Sequence, residues 1–305
     1  MLVSMIFVLL RISPGDPAQK YISPELNSHL AQEVRSSFGL DGSLFEQYKS
    51  FLVNIVSGNF GISYNYRLPV LSVIMNYLPF TVIFASIVLF VQIVGGYFLA
   101  RVSFGNINPK IDQMLSNFVL LFFSLPSFVI ALILIYIFSV HLGVLPIAGI
   151  HSIGFEEMSI FNKIIDRISH LILPVITLSF YGVVIFYKYL RDNFDSVSNK
   201  MFIHYLEANG INKKEIKKHI IKNSLGTLVS VAGVEFSVLL GGTLITEVIF
   251  SLPGMGFLTV NAILMRDYPL IVGCVFFSGI LVLLVNFIAD IVRALLDKRL
   301  VKEIL

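Results

Sequence analysis

Only 13% of the 305 residues are charged, so the ionisable side chains that interrupt apolar runs carry the first information about chemistry. Glu235 and Glu247 fall in or at the end of an apolar run over 226–250. At mid-depth in a bilayer a charged side chain costs about 2.5 to 3.5 kcal/mol on insertion scales, so neither is expected to face lipid. Each has two readings: a polar contact along a solute path, or a hydrogen-bonded group tying two helices together. For Glu247, beside the turn SLPG, the second reading is preferred. Pro253, Gly254 and Gly256 break the chain between the last two apolar runs. A re-entrant turn there fits the rule that irregular backbone survives in a membrane only where protein or water satisfies it. Arg266 and Asp267 follow, either as a pair anchoring a gate or as solvated loop residues. Asn286 and Asp290 lie one helical turn apart near the end of the last run, where a solvated or capping role fits.

No catalytic or metal-ligating set emerges. The sequence has no Gly-Lys dipeptide, hence no GxxxxGK[ST] loop to cradle ATP. His29, His141, His151, His170, His204 and His219 are scattered without HExxH-like spacing. Cys274, the single cysteine, can form no intrachain disulfide and reads as a small core hydrophobe.

Five lysines crowd into ten residues, at Lys213, Lys214, Lys217, Lys218 and Lys222. By themselves they read as an ordinary basic loop between membrane spans. The flanking residues ask for more. Gly210 can take the left-handed conformation that ends a helix over Met201 to Ala208. Asn212 can cap the next helix, with Glu215 completing a capping box and Ile211 and Ile216 in the staple positions that fix its angle of approach. Past that cap, Ile216, Ile220, Asn223 and Ser224 share one side, and Lys214, Lys217, Lys218 and Lys222 another. A loop that merely connects two spans has no need of a rigid elbow.

These residues are positioned by a chain that is 56% hydrophobic, with a mean hydropathy of +0.85. That composition defines a membrane protein. The net charge of +3 does not indicate nucleic-acid binding, because the basic residues sit between apolar spans rather than on one face of a soluble domain. Spans are expected over 78–100, 114–140, 170–187, 226–250 and 271–292, with MLVSMIFVLL at the start as a sixth. That opening run is about half a crossing, so it is either truncated upstream or completed by the neighbouring fold. If the start is cytoplasmic, the inner segments hold 14 of the 22 Lys and Arg, which places both termini in the cytoplasm. The expected class is an all-α polytopic membrane protein of about six transmembrane helices, with an extracytoplasmic cap between the first two. Residues 1–77 would form the first helix and cap, and 78–305 the membrane domain with an inner loop over 188–225. Within the cap, Leu44, Tyr48, Phe51, Leu52 and Ile55 recur at helical spacing and should pack against something.

The sequence also resembles a family. Glu207, Ala208, Asn209 and Gly210 give the inner loop an EAxxG-like character, similar to the coupling loop of ATP-binding cassette importer permeases. GGTLITEVIFSLPGMGFLTVNAILMRDYPLIVG over 241–273 is similar to the closing segment of permeases for dipeptides, oligopeptides and nickel. ISPGDP, FGLDGSLFEQY, GNFGIS, SLPSFVIALILIYIF and HLILPVITL look like the same family, so the likeness runs nearly end to end. The departures are Glu207 where many peptide permeases carry a basic residue, Thr227 near a usual proline, and Lys298 at the proline of a usual DPR. The resemblance implies a transport subunit without catalysis of its own. Leu206, Glu207, Ala208, Asn209, Gly210 and Ile211 would dock a separate ATPase, with the lysines of 213–222 supporting the joint. ATP and Mg would bind that partner and no cofactor this chain. A second permease, usually making a heterodimer, two ATPase subunits, an extracytoplasmic solute-binding protein and membrane lipid would complete the assembly. A secondary transporter driven by an ion gradient is the alternative; it predicts inverted repeats, and no convincing repeat relates the two halves.

Overall fold

The computed structural model describes residues 43–104 and 125–296, together with Ser4, Met5, Phe7 and Val8. Among them the architecture is helical, and the sole β-type pairing is one antiparallel bridge between Ile62 and Pro69. Helix α1 (Leu44–Val56) begins at a capping box: Glu46 N–H donates to Ser43 Oγ at 3.3 Å, and Ser43 N–H donates to Glu46 Oε2 at 2.8 Å. Its apolar side packs as the helical spacing requires. Tyr48 and Phe51 meet Phe7, and Ile55 is buried against Val272. Leu44 departs from the expected stripe, being 66% exposed.

Helix α2 (Val70–Ser103) contains the expected span 78–100, and α4 (Ile160–Ser198) contains 170–187. Both far exceed the roughly 20 residues that cross a bilayer, so they project beyond it. Between them α3 (Ser127–Leu134) continues as a π-helical segment, Ile135–His141. This accounts for the second half of the expected span 114–140; its first part lies outside the described residues, as does most of MLVSMIFVLL. Two short helices follow α4, namely α5 (Met201–Ala208) and α6 (Lys213–Ser224). Helix α7 (Leu228–Ile249) matches the run 226–250; α8 (Met255–Leu264) is short, and α9 (Tyr268–Leu296) contains 271–292. Among the described residues four helices, α2, α4, α7 and α9, are long and apolar enough to cross a membrane.

Lipid is as apolar as leucine, so helices in a membrane associate through close packing and hydrogen bonds. The α2–α4 contact shows both. A Cβ added at Gly96 would lie 2.4 Å from Phe186 Cβ and 2.9 Å from the Tyr187 amide nitrogen. Nearby, the buried Gln92 donates Nε2–H to the Leu178 carbonyl at 3.0 Å. Three apolar cores run along the bundle: Phe84, Val88, Ala131, Leu173 and Leu239 in the middle; Val70, Ile74, Met255, Leu270 and a fully buried Cys274 at one end; Ala100, Leu190, Phe194, Ile216 and Ile220 at the other. Because part of what Gly96 faces is backbone, replacing it with valine should cost about 1–3 kcal/mol through overpacking. Thermal unfolding of the detergent-solubilised protein would show this as a lowered midpoint.

Candidate functional site

At one end of the bundle α5 and α6 are joined by four residues that form a rigid elbow. Gly210 has φ +74°, with no atom within 4 Å of an added Cβ, so the position selects glycine by conformation rather than by space. Gly210 N–H donates to Glu207 O at 3.0 Å and Ile211 N–H to Leu206 O at 3.1 Å. This pair of bonds closes the helix in a Schellman motif. Asn212 then caps α6, its Oδ1 accepting from Lys214 N–H at 3.0 Å. The expected capping box does not form: Glu215 stays exposed and adds only its charge to the first turn.

The elbow is seated on the bundle. Ile203, Ile216 and Ile220 are buried with Tyr187, Leu190, Phe194 and Ala100, and Leu206 packs half-buried against the same cluster. Glu207, Ala208, Asn209, Gly210 and Ile211 are exposed, so the stretch 206–211 divides, with Leu206 turned toward the bundle. Met201, 83% exposed, and Tyr205, 70% exposed, form an outward apolar strip that the sequence reading missed. Their i, i+4 spacing was the available signal: α5 is apolar on two sides, and one bundle covers only one of them.

The lysines also divide. Lys213, Lys214, Lys218 and Lys222 are exposed. Lys217 turns back, donating to the Phe104 carbonyl at 2.5 Å with its Nζ 5.7 Å from the Phe104 ring. Arg191, ion-paired with Asp195, lies over the same ring at 5.6 Å, and Phe194 packs 5.1 Å away. Lys217 therefore clamps the elbow to the end of α2. Ser224 is buried as expected, whereas Asn223 is exposed and donates to His219 O at 2.8 Å.

At the opposite end the chain breaks between α7 and α8, and Glu247 organises the break. Its fully buried carboxylate accepts from Thr81 Oγ1 at 2.9 Å, Gly256 N–H at 2.6 Å and Phe257 N–H at 3.2 Å. Thr81 Oγ1 in turn accepts from Met255 N–H at 2.7 Å. The carboxylate thus caps the first turn of α8, where unpaired amides and the helix dipole both favour an anion. A Cβ on Gly254 would fall 2.3 Å from the Glu247 carboxyl carbon, and one on Gly256 would lie 2.4 Å from Leu244 Cα. Glu247, Pro253, Gly254 and Gly256 are therefore brought into one turn.

Arg266 and Asp267 are not brought together. Asp267 is fully buried and accepts from Ser63 Oγ at 2.6 Å, Asn65 N–H at 3.0 Å and Leu270 N–H at 3.3 Å. It pins the loop before α2 to the start of α9, while Arg266 is exposed. Glu235 stands apart from both ends. It is 6% exposed and lines a cavity of about 320 Å³ between α2, α3, α4 and α7. Among the described residues no group of three or more His, Cys, Asp or Glu is placed to hold a metal.

Apolar helices that cross a membrane, interrupted by a capped elbow at one end and a carboxylate-closed turn at the other, define a polytopic membrane protein. Residues 92–302 match the family described as binding-protein-dependent transport system inner membrane component, and residues 1–85 match the family described as its N-terminal part. The chain belongs to this family of inner membrane transport components, which sets aside the ion-driven secondary transporter. The oligopeptide transport system permease protein AppB of Bacillus subtilis (strain 168) is 32% identical over 300 residues, covering 96% of this chain and 92% of that protein. The glutathione transport system permease protein GsiC of Escherichia coli (strain K12) is 28% identical over 294 residues, covering 96% and 91%. An amino acid ABC transporter solved with histidines shares the fold with a TM-score of 0.56, at 16% identity over 73% of this chain and 93% of that one.

The Glu247 turn yields a stability prediction. Glu247→Ala would strand the donors of Thr81, Gly256 and Phe257 in a buried site and should cost about 3 kcal/mol or more. Glu247→Gln keeps an acceptor and should lose less. Thermal unfolding of the two variants side by side would test the order.

Proposed function

We propose that this chain forms half of the membrane path of an ATP-driven importer for peptides or related small solutes, moved by a separate ATPase that grips the elbow. The observation that carries the reading is the elbow itself. It is stiffened by a Schellman motif and an Asn cap, it is seated on the projecting ends of α2 and α4, and it offers an exposed strip that no described residue covers. Such a body transmits a displacement that a flexible loop would absorb. Ala208 to Ile211, with Met201 and Tyr205, make the contact; Lys213, Lys214, Lys218 and Lys222 assist by charge. ATP and Mg belong to the partner, and this chain does no chemistry.

The substrate class is supported by relatives named as permeases for oligopeptides and glutathione. On this reading the elbow end is cytoplasmic together with both termini, and six spans are completed by residues 1–10 and 114–140. Residues 1–77 supply the first helix and an extracytoplasmic cap, to which α1 belongs, and 78–305 the permease domain. A second permease, two ATPases and a solute-binding protein complete the machine, the two permeases forming a heterodimer. Glu247, Pro253, Gly254 and Gly256, with Arg266 and Asp267 nearby, form the outer gate region.

A β-branched residue at the left-handed Gly210 costs about 1–2 kcal/mol, a factor of roughly 5–30 in the population of the shaped elbow. In vesicles holding the complete importer, Gly210→Val should lower peptide uptake per ATP hydrolysed by that order, while insertion and assembly persist. An unchanged ratio would count against the lever. Purification of the native complex should also recover a Walker-containing ATPase; repeated isolation of the chain alone would contradict the partner assignment.

A further inference from the structure

The mid-bundle cavity has a one-sided polar lining. Glu235 is buried and hydrogen-bonds to no described residue. Gln92, 1% exposed, spends its Nε2–H on the Leu178 carbonyl, leaving Oε1 without a partner. The amide is held there by close packing, since a Cβ on Gly182 would fall 2.1–2.4 Å from its atoms. The Thr177 hydroxyl, also on the wall, donates to Leu173 O at 2.8 Å and keeps its acceptor capacity. Among the described residues no Lys, Arg or His lines the cavity, and the aromatic residues Phe180 and Tyr181 do.

A buried carboxylate that served to tie helices would show a donor, as Glu247 shows three. Glu235 shows none among the described residues. Among the described residues the positive influence on the lining is the first turn of α3 at Ser127, equivalent to about half an elementary charge. That leaves the site net negative and rich in unused acceptors. A metal ion is a poor match, since hard cations ask for about six or more oxygens in a closed shell. A primary ammonium group is a good one: it carries one positive charge and three donors, against a carboxylate oxygen, an amide oxygen and a hydroxyl. Aromatic walls add cation–π attraction. A volume of about 320 Å³ suits one end of a peptide rather than its whole length.

We propose that this cavity binds the ammonium group of the transported solute, with Glu235 as its counter-ion and Gln92 Oε1 and Thr177 Oγ1 as its neutral acceptors. The inference rests on the importer reading and adds to it a recognition step inside the membrane domain. The ammonium is either the α-amino end of a peptide or a lysine side chain, which share the same chemistry.

The test uses the purified complete importer in detergent without its solute-binding protein, titrated with trialanine, N-acetyl-trialanine and N-acetyl-Ala-Ala-Lys. Wild-type protein should bind trialanine at least about tenfold more tightly than N-acetyl-trialanine, the scale of a hydrogen-bonded charge. Glu235→Gln should abolish that preference, and Glu235→Asp should retain it. Tight binding of N-acetyl-Ala-Ala-Lys would show that a side-chain ammonium is also read; weak binding would restrict the site to the α-amine. Equal affinities in the wild type, no measurable binding, or a preference surviving in Glu235→Gln would overturn the proposal. The wild-type comparison stands even if the variants fail to assemble. ATP-dependent uptake of trialanine in vesicles separates the two levels. Uptake without ammonium preference removes only this inference, whereas absence of uptake for every peptide probe removes the importer reading and the inference with it.

Discussion

The seating of α2 on α4 is the contact on which both the elbow and the cavity depend. At mid-depth it fixes Gln92 against Leu178 and Gly182; one to two helical turns further, Gly96 lets the backbones meet at Phe186; at the projecting end, Ala100, Tyr187 and Phe194 form the floor under Ile216 and Ile220. These are consecutive stations on one pair of rods. In hydrocarbon such a pair is held by small residues and by hydrogen bonds, and close-packed interiors shift between discrete arrangements rather than deform continuously. On the proposed importer reading, a push on the elbow would arrive at the cavity as movement of its own walls. The Lys217 clamp on Phe104 makes the connection tighter, because it joins α6 to the end of α2 as well as to α4.

The opposite end solves a different difficulty, how to bend a chain without leaving backbone groups unpaired. Both solutions place a carboxylate beside a helix start. Glu247 gathers the amides of α8 and the hydroxyl of Thr81, 166 residues away in sequence; Asp267 gathers Ser63, 204 residues away, and the first turn of α9. Each anion is satisfied by several donors at once, which is the condition under which a buried charge ceases to be a liability. The two breaks become fixed corners, and rigidity at this end lets motion of the elbow end act against something.

What could be read from the sequence divides along the same physical line. Four of the spans were legible because hydropathy reports directly which solvent a segment requires, and the elbow because Gly210 and Asn212 act within a few residues of themselves. Partnerships across the bundle were not legible. Thr81 with Glu247, Ser63 with Asp267 and Lys217 with Phe104 depend on the register between helices far apart in the chain, and no local pattern encodes it. Adjacency misled once: Arg266 and Asp267 are neighbours in sequence, but Asp267 is committed to Ser63 and Asn65 while Arg266 faces outward. The direction of Leu206 was lost for a related reason, since α5 has two apolar sides and nothing local says which one the bundle covers.

The two glutamates of α7 bring these points together. They lie twelve residues apart on one helix, about 18 Å along its axis at 1.5 Å per residue. Both are buried, and the fold treats them oppositely. Around Glu247 it assembles a hydroxyl and two backbone amides; around Glu235 it supplies an opening and, among the described residues, unpartnered acceptors. A chain that can satisfy one buried carboxylate so fully can satisfy another, and a hydrophobic residue at 235 would remove the penalty altogether. An acid held there without a donor among the described residues is therefore intelligible as half of an interaction whose other half comes and goes, which is what a transport path requires of a binding group: enough attraction to admit the solute, and no permanent partner to displace.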